Sequence, residues 1–268
     1  MPVPVSVRVT AVIVALLASA YAGVRLVNRW LSDPAAPVVN APHTPPAAVS
    51  DQSNPGILIP GGVLGRGQVL DGAERGPRST QGEGFRGTEL DGFWIQQHEV
   101  TNAEFRRFDP EHQFPVGQER HPVVNVTWEA AMSYARWLGG YLPTEAQWEF
   151  AASGTEGRKY PWGGAEPTCE VAHFGGCGDR WAVEVMTHPA GSTPEGIHDL
   201  AGNVWEWVAP IWYEPGKTPV NQEVRRMRGG SFDDEAFFLR AANRSNGFRA
   251  GHRYISSGFR VVWPAAGG

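Results

Sequence analysis

Six residues in the second half of the chain decide the interpretation of the fold: Gly202-Asn203-Val204-Trp205-Glu206-Trp207. In this stretch Trp205 and Trp207 flank one carboxylate, Glu206. Because indole rings are large and apolar, we expect Trp205, Trp207 and also Trp212 to lie mainly in the core rather than on the wall of a groove. Three further segments accompany this stretch: Leu-Pro-Thr-Glu-Ala-Gln-Trp-Glu-Phe-Ala at 142–151, Arg-Gly-Gly-Ser-Phe at 228–232 and Ser-Gly-Phe-Arg-Val-Val at 257–262.

Helical signals lie on the N-terminal side of this stretch. Thr-x-x-Glu at 101–104 and Thr-x-x-Gln at 144–147 are capping boxes, in which each side chain bonds the backbone amide of the other residue. Thr127 is a third candidate N-cap, followed by an apolar stripe that ends at Gly139. After Gly154 the helical pattern stops, and glycine, proline and tryptophan alternate with short β-type runs. This order predicts an α+β fold in a single domain.

Composition sets the broad class of the protein. Of the 268 residues, 41% are hydrophobic and 19% are charged, which is enough apolar material for a core and too much for a disordered chain. The 33 glycines, 22 prolines and 11 tryptophans favour a loop-rich fold with aromatic packing. The formal net charge is -5, so nucleic acid is not expected as a partner.

An uncharged apolar run occupies residues 9–24, with arginine on either side. We expect residues 1–31 to form an apolar helix that is either a cleaved signal peptide or a membrane anchor, and a buried helix of the globular domain is the less favoured alternative. Residues 32–55 are rich in proline and alanine and predict an extended linker. Residues 56–268 then form an exported domain on the periplasmic or extracellular side, tethered to the membrane if the first segment is uncleaved.

The chain contains two cysteines, Cys169 and Cys177. In an exported domain, two cysteines this close in sequence are expected to form a disulfide. A metal site is the less favoured alternative, because neither a Cys-x-x-Cys nor a His-x-Cys spacing supports it.

Taken in order, the four segments resemble the sulfatase-modifying-factor family, whose best-known member is the formylglycine-generating enzyme. The resemblance extends over residues 56–263, which is nearly the whole predicted domain. It implies a variant of the C-type-lectin-like fold, with two main helices, short antiparallel strands and little regular secondary structure. Export of the domain also agrees with this family.

Calcium is the ligand that the resemblance implies most directly. Carboxylate and backbone carbonyl oxygens are the ligands that Ca²⁺ prefers. The positions that match a calcium site of the family enzyme are Asp199, Gly202, Val204 and Glu206, with aspartate in place of the usual asparagine at the first. The alternative is a strand and turn whose carboxylates bond backbone amides.

The resemblance also bears on catalysis. The formylglycine-generating enzyme binds copper(I) through two cysteines that follow its Gly-Gly-Ser motif, as thiolates suit this soft ion. The corresponding stretch here, 232–240, contains no cysteine, and Asp234 falls near the first thiol position. The second thiol position falls within 237–239. Copper-dependent oxidation of a sulfatase cysteine is therefore not expected of this chain.

In place of the thiols, the sequence offers a candidate binding groove beside the Gly-Gly-Ser motif. Acidic side chains there can shift the pKa of one another, and arginines can clamp an anionic or peptide ligand by paired hydrogen bonds. The alternatives are a solvated acidic turn and arginines that serve in structural ion pairs. The candidate groove residues are Ser231, Asp233, Asp234, Arg240 and Arg244.

Three functions are compatible with these features. The first is a membrane-tethered accessory, maturation or protein-binding domain whose groove receives a protein or peptide partner in the envelope. The second is a metal-dependent oxidoreductase, because related family members without the cysteine pair are associated with oxidative maturation of secreted products. The third is a structural subunit of an envelope complex.

Overall fold

The computed structural model describes residues 53–64, 87–178, 180–209, 224–244 and 248–265. These residues belong to one compact unit of the chain, Asn40–Tyr213 with Pro219–Gly268. The apolar segment predicted at 1–31 and nearly all of the linker lie outside the described residues, as does Trp212. No helix among the described residues is long and apolar enough to cross a membrane.

Three helices lie in the first half of the described chain: α1 (Asn102–Phe108), α2 (Trp128–Trp137) and α3 (Glu145–Ser153). Four strands precede them: β1 (Gly56–Ile59), β2 (Gly62–Val63), β3 (Glu89–Leu90) and β4 (Phe93–Gln96). Six strands follow them: β5 (Trp205–Trp207), β6 (Val224–Arg225), β7 (Met227–Arg228), β8 (Phe248–Arg249), β9 (Ser257–Gly258) and β10 (Val262–Pro264). Single 3-10 turns occupy Pro189–Gly191 and Ala236–Leu239. The prediction of an α+β fold with short strands is confirmed.

The helices begin where the local sequence predicts. In both capping boxes the threonine side chain accepts a backbone N–H and the third residue of the helix bonds back to the threonine. Thr127 Oγ1 accepts the N–H of Ala130 at the start of α2. Gly154, with φ of 65°, ends α3 in a conformation that favours glycine. Each cap satisfies an amide that the helix itself leaves unbonded, which is worth about 1 kcal/mol.

Three of the four motifs meet in one small sheet with the strand order β7-β5-β9. In β5, Glu206 lies opposite Arg228 of the antiparallel β7 and opposite Gly258 of the parallel β9. The fourth motif joins through α3, where Trp148 Nε1 donates to Glu206 Oε2 at 2.9 Å. The motifs are therefore parts of one packing unit, although they are spread over residues 142–262 of the chain.

A second sheet, in the order β1-β4-β10, closes the other side of the core. All its pairings are antiparallel, with Trp94 of β4 opposite both Leu58 and Trp263. The indoles of Trp148, Trp207 and Trp263 are fully buried, and Trp205 is 6% exposed. A buried aromatic ring removes about 150–250 Å² from water, so these rings supply much of the apolar burial that the short strands cannot. The prediction of core tryptophans is confirmed for Trp205 and Trp207.

Candidate functional site

The residues predicted to bind calcium lie in a tight turn that leads into β5. Asp199 and Asn203 both have positive φ, 59° and 56°, and Gly202 has φ of 87°. A Cβ on Gly202 would stand 2.2 Å from the carbonyl oxygen of His173, so this position requires glycine. Asp199 Oδ2 accepts the backbone N–H of Met186 at 2.7 Å.

Glu206 is fully buried and is already bonded on both carboxylate oxygens. Arg260 donates from Nη2 to Oε1 at 2.7 Å and from Nε to Oε2 at 2.8 Å. The indole of Trp148 also reaches Oε2. A charge-assisted pair of this fork geometry is strong, and the buried guanidinium depends on its carboxylate partner.

Glu99 adds a third carboxylate to this region, which the sequence interpretation missed. It is fully buried, and its oxygens accept Asn203 Nδ2 at 2.9 Å and the N–H of Val204 at 3.3 Å. Burial raises the pKa of Glu99 well above its usual range, the negative charges of Asp199 and Glu206 raise it further, and Arg260 opposes them. The local sequence gives little indication that Glu99 is buried, because it shows only a glutamate between His98 and Val100 after a strand-like run.

This charge balance fits a hard cation. When ionised, Glu99, Asp199 and Glu206 carry three negative charges against the one positive charge of Arg260, and an uncompensated buried charge is costly. Among the described residues, no group of three or more His, Cys, Asp or Glu side chains is arranged to hold a metal. The predicted set has only two carboxylates, Asp199 and Glu206, so calcium there stays a prediction.

The two cysteines form the predicted disulfide, with the Cys169 and Cys177 sulfurs 2.14 Å apart. The loop that it closes contacts both candidate sites. His173 O accepts the N–H of Asn203 at 2.8 Å, and Gly175 N–H donates to Asp234 O at 2.8 Å. The disulfide uses both thiols of the chain, so neither is a ligand for copper.

Asp234, near the first thiol position of the family enzyme, is held by two donors. Trp205 Nε1 lies 2.7 Å and Ser231 Oγ 2.5 Å from Asp234 Oδ2. Burial raises the pKa of Asp234, while the bonds from Ser231 and Trp205 oppose that effect. Ser231 is itself buried, and its hydroxyl is committed to this carboxylate. Its geometry therefore favours a positioning role over a nucleophilic one.

Two other candidate groove residues lie near the surface. The Asp233 side chain is 67% exposed and pairs loosely with Arg180 Nη2 at 3.8 Å. The Arg240 guanidinium stacks over the ring of Phe237 at 4.6 Å. Arg240 also bonds the hydroxyl of Tyr160, although burial and the bond to Glu166 raise the pKa of Tyr160 to about 12. The surface turn around Asp233 and Asp234 is called the acidic turn below.

Arg244 requires a correction, because it belongs to a buried ion-pair network rather than to a groove. Its Nε lies 3.9 Å from Glu145 Oε2, and its Nη2 lies 3.6 Å from Glu149 Oε2. Arg228 contacts the same Glu149 carboxylate. The sequence pattern did not separate this arginine from exposed ones, since its partners are about a hundred residues away.

The amino-acid sequence of this chain matches a known protein family and several curated proteins. Residues 42–265 match the family model described as the sulfatase-modifying factor enzyme 1-like domain. The chain belongs to this family. Its domain is 38% identical over 162 residues to hercynine oxygenase of Mycolicibacterium thermoresistibile, covering 53% of this chain and 36% of that protein. It is 36% identical over 160 residues to the formylglycine-generating enzyme of Streptomyces coelicolor, covering 52% and 50%.

Solved structures confirm the C-type-lectin-like fold of the domain. Treponema denticola variable protein 1 superposes with a TM-score of 0.61 at 21% identity, over 79% of this chain and 95% of that one. PvdO from Pseudomonas aeruginosa gives a TM-score of 0.61 at 23% identity, over 78% and 94%. The domain spans half or less of the two curated relatives, so their activities are not transferred with the fold.

Proposed function

We propose that this chain is an exported, membrane-tethered binding or maturation-accessory domain that presents its acidic turn to a peptide segment of a partner protein in the envelope. The observation that carries this proposal is the state of the cysteines. Both are joined in the disulfide loop, and Asp234 stands near the position where the family oxidase has its first copper-binding thiol. A carboxylate held by an indole and a hydroxyl is not a copper(I) ligand set.

The arrangement of the acidic turn supports binding. Asp233 and Glu235 are exposed, whereas Asp234 between them is tied into the fold by Trp205. The disulfide loop backs the turn through Gly175, where an added Cβ would lie 2.9 Å from Asp234 O. A rigid turn with exposed charges is a suitable docking feature, because little conformational freedom is lost on binding.

The proposed membrane tether is supported by the amino-acid sequence alone. Residues 1–31 would anchor the chain if they are not cleaved, and the proline-rich linker at 32–55 would hold the domain away from the membrane surface. Fractionation of cells that produce the full chain tests this part. Recovery of the intact domain only from the soluble envelope fraction would contradict the tether.

A test of the binding role uses site-specific photo-crosslinking in the full chain. A photoreactive amino acid at Glu235, beside the acidic turn, should give a discrete crosslinked partner, and the same group at the exposed Glu111 should not. Addition of Asp233→Lys should remove that crosslink. Equal crosslinking from both positions, or no effect of Asp233→Lys, would contradict the proposal.

Calcium is proposed as a structural ion beside β5. Asp199 and Glu206 would supply carboxylates, Gly202 and Val204 would supply carbonyl oxygens, and the ion would offset the surplus negative charge near Glu99. Chelation of the purified full chain should lower its melting temperature, and Ca²⁺ but not Mg²⁺ should restore it. Asp199→Ala, which removes the side-chain ligand, should weaken the Ca²⁺ response, whereas Asp199→Asn, the residue usual at this position in the family, should retain it. A melting temperature that chelation leaves unchanged would overturn this site.

A metal-dependent oxidoreductase is the second candidate function. Its support is the 38% identity to a protein named hercynine oxygenase. Metal analysis of the purified chain, combined with oxygen-uptake measurements, separates the two functions. Stoichiometric iron or copper together with substrate-dependent oxygen uptake would favour the oxidoreductase, whereas calcium alone with no oxygen uptake would favour the binding domain.

A further inference from the structure

The C-terminal end of the chain has an unusual charge distribution. Residues 236–268 contain five arginines and one histidine but no aspartate, glutamate or lysine, in a protein whose formal net charge is -5. Two of the arginines, Arg244 and Arg260, form ion pairs with buried carboxylates. Arg240 is stacked on Phe237. The remaining cations are therefore the ones available at the surface.

The remaining basic side chains gather at the end of β8 and in the turn that follows it. Arg249, His252 and Arg253 are all exposed, and the N–H of His252 bonds the carbonyl of Arg249 at 3.0 Å, which closes the turn. Arg253 Nη1 donates to the carbonyl of Asn125 at 2.7 Å, which fixes the direction of that side chain. Within the described parts of the chain, none of the three is in an ion pair. These three residues are called the basic tip.

A line of aromatic rings connects the acidic turn to the basic tip. Successive ring centroids are 5.3 Å apart for Phe237 and Phe238, 6.3 Å for Phe238 and Trp205, 6.3 Å for Trp205 and Phe248, and 5.1 Å for Phe248 and Tyr254. The two phenylalanines at the start, Phe248 and Tyr254 are half-buried. This aromatic row starts two residues after Glu235 and ends one residue after Arg253.

We propose that the basic tip and the aromatic row form a docking surface for a polypeptide segment of the partner that carries aromatic residues next to aspartate or glutamate. This inference rests on the binding role proposed above and names the chemistry of its partner. The half-buried rings of Phe237, Phe238, Phe248 and Tyr254 provide apolar contact at low entropic cost, whereas Trp205 is buried and joins them through the core. Arginine binds carboxylates through paired hydrogen bonds. The acidic turn at the other end of the row would repel the aspartate or glutamate of such a segment, so we expect these residues to bind at the basic tip.

A single-stranded nucleic acid is the competing occupant, since it also combines rings with negative charge. The surface favours the peptide. Phosphate backbones are bound by runs of cations, and only two arginines and one histidine lie here on a protein with a net charge of -5. Nucleic acid is accordingly one outcome of the test rather than part of the proposal.

The test uses the full chain, immobilised, against a displayed library of random dodecapeptides. Selected peptides should be enriched in aspartate and glutamate adjacent to tryptophan, tyrosine or phenylalanine. The double variant R249E/R253E should lose the acidic enrichment and bind the selected peptides at least about tenfold more weakly. The control is R136E, which reverses an exposed arginine at the end of α2 and should leave binding unchanged.

The outcomes separate this inference from the binding role. Peptides that bind, lose affinity in Asp233→Lys and are insensitive to R249E/R253E would overturn the docking surface and leave the binding role standing. Failure to select any peptide would count against both. Tighter binding of a single-stranded oligonucleotide than of the selected peptides, abolished by R249E/R253E, would overturn the peptide as occupant. Circular dichroism of each variant excludes a loss of fold as the cause.

Discussion

Two carboxylates in this molecule each bind a tryptophan indole but differ in their charge partners. Glu206 and Asp234 each accept a tryptophan indole N–H, from Trp148 at 2.9 Å and from Trp205 at 2.7 Å. Glu206 is also clamped by the Arg260 guanidinium on both oxygens. Among the residues that the structure describes, no cation is paired with Asp234, and its second donor is the neutral hydroxyl of Ser231.

This contrast indicates that Glu206 is a structural acid, whereas Asp234 lies in the turn that we propose for interaction. An ionised carboxylate in a buried, cation-paired site is fixed, because either partner alone would be an uncompensated buried charge. A half-buried carboxylate with neutral donors keeps an elevated pKa and lies next to exposed acids. The first arrangement holds four motifs together, and the second supports a surface turn.

The largest effect is expected from Glu206→Gln. The amide keeps the shape of the side chain but removes the carboxylate that accepts both bonds from the buried Arg260 guanidinium, so we expect a loss of about 3–5 kcal/mol in the free energy of unfolding. Denaturant unfolding of the full chain measures it. Glu170→Gln, at an exposed acid, is the control and should change stability by less than about 0.5 kcal/mol. A loss from Glu206→Gln no larger than in the control would remove the distinction between the two carboxylates.

A smaller effect is expected from removal of the disulfide by the double variant Cys169→Ser/Cys177→Ser. Releasing so short a loop should cost about 2–3 kcal/mol, chiefly through the unfolded state. Because the loop bonds Asp234 O through Gly175, the fluorescence of Trp205 should also change. Adding a reductant should lower the free energy of unfolding of the natural protein by a similar amount and should leave that of the double variant unchanged. If reductant destabilises both proteins equally, the disulfide is not the cause.

Asp234→Asn should alter the pH dependence more than the stability. The pKa of Asp234 is raised in the folded state, so its stabilising contribution is complete below the unfolded pKa and is lost as pH rises through the folded pKa. The stability of the natural protein relative to Asp234→Asn should therefore fall as the pH rises from below 3.8, the ordinary pKa, through the raised pKa of the folded state, by no more than about 1 kcal/mol. The indole N–H resonance of Trp205 should titrate with a midpoint above 3.8 and stop titrating in the variant. A midpoint below 3.8 would contradict the assigned role of burial.

The smallest effect on stability is expected from Asp233→Lys. Its pair with Arg180 is long and exposed, so unfolding should change by less than about 0.5 kcal/mol. The same variant should abolish crosslinking from the acidic turn. A variant that unfolds easily would place Asp233 with Glu206 among the structural acids.

Much of the local structure was predictable because its causes are local. Capping boxes join residues three apart, and the disulfide joins residues eight apart, so both are visible in sequence. The role of Arg244 could not be predicted from the sequence, because only the fold brings its partners Glu145 and Glu149 close to it. Glu99 was missed for the same reason, since its neighbours Asn203 and Val204 follow it by more than a hundred residues.

The family, the α+β class, the starts of three helices, the disulfide and the lack of a thiol pair after Gly-Gly-Ser could all be read from the amino-acid sequence. Those features depend on residue identity and on spacings of a few residues. The pairing of acids with arginines, and which of them remain at the surface, became visible in the folded structure. Burial and charge pairing depend on distances in space, and the Glu206–Arg260 pair spans 54 residues of chain.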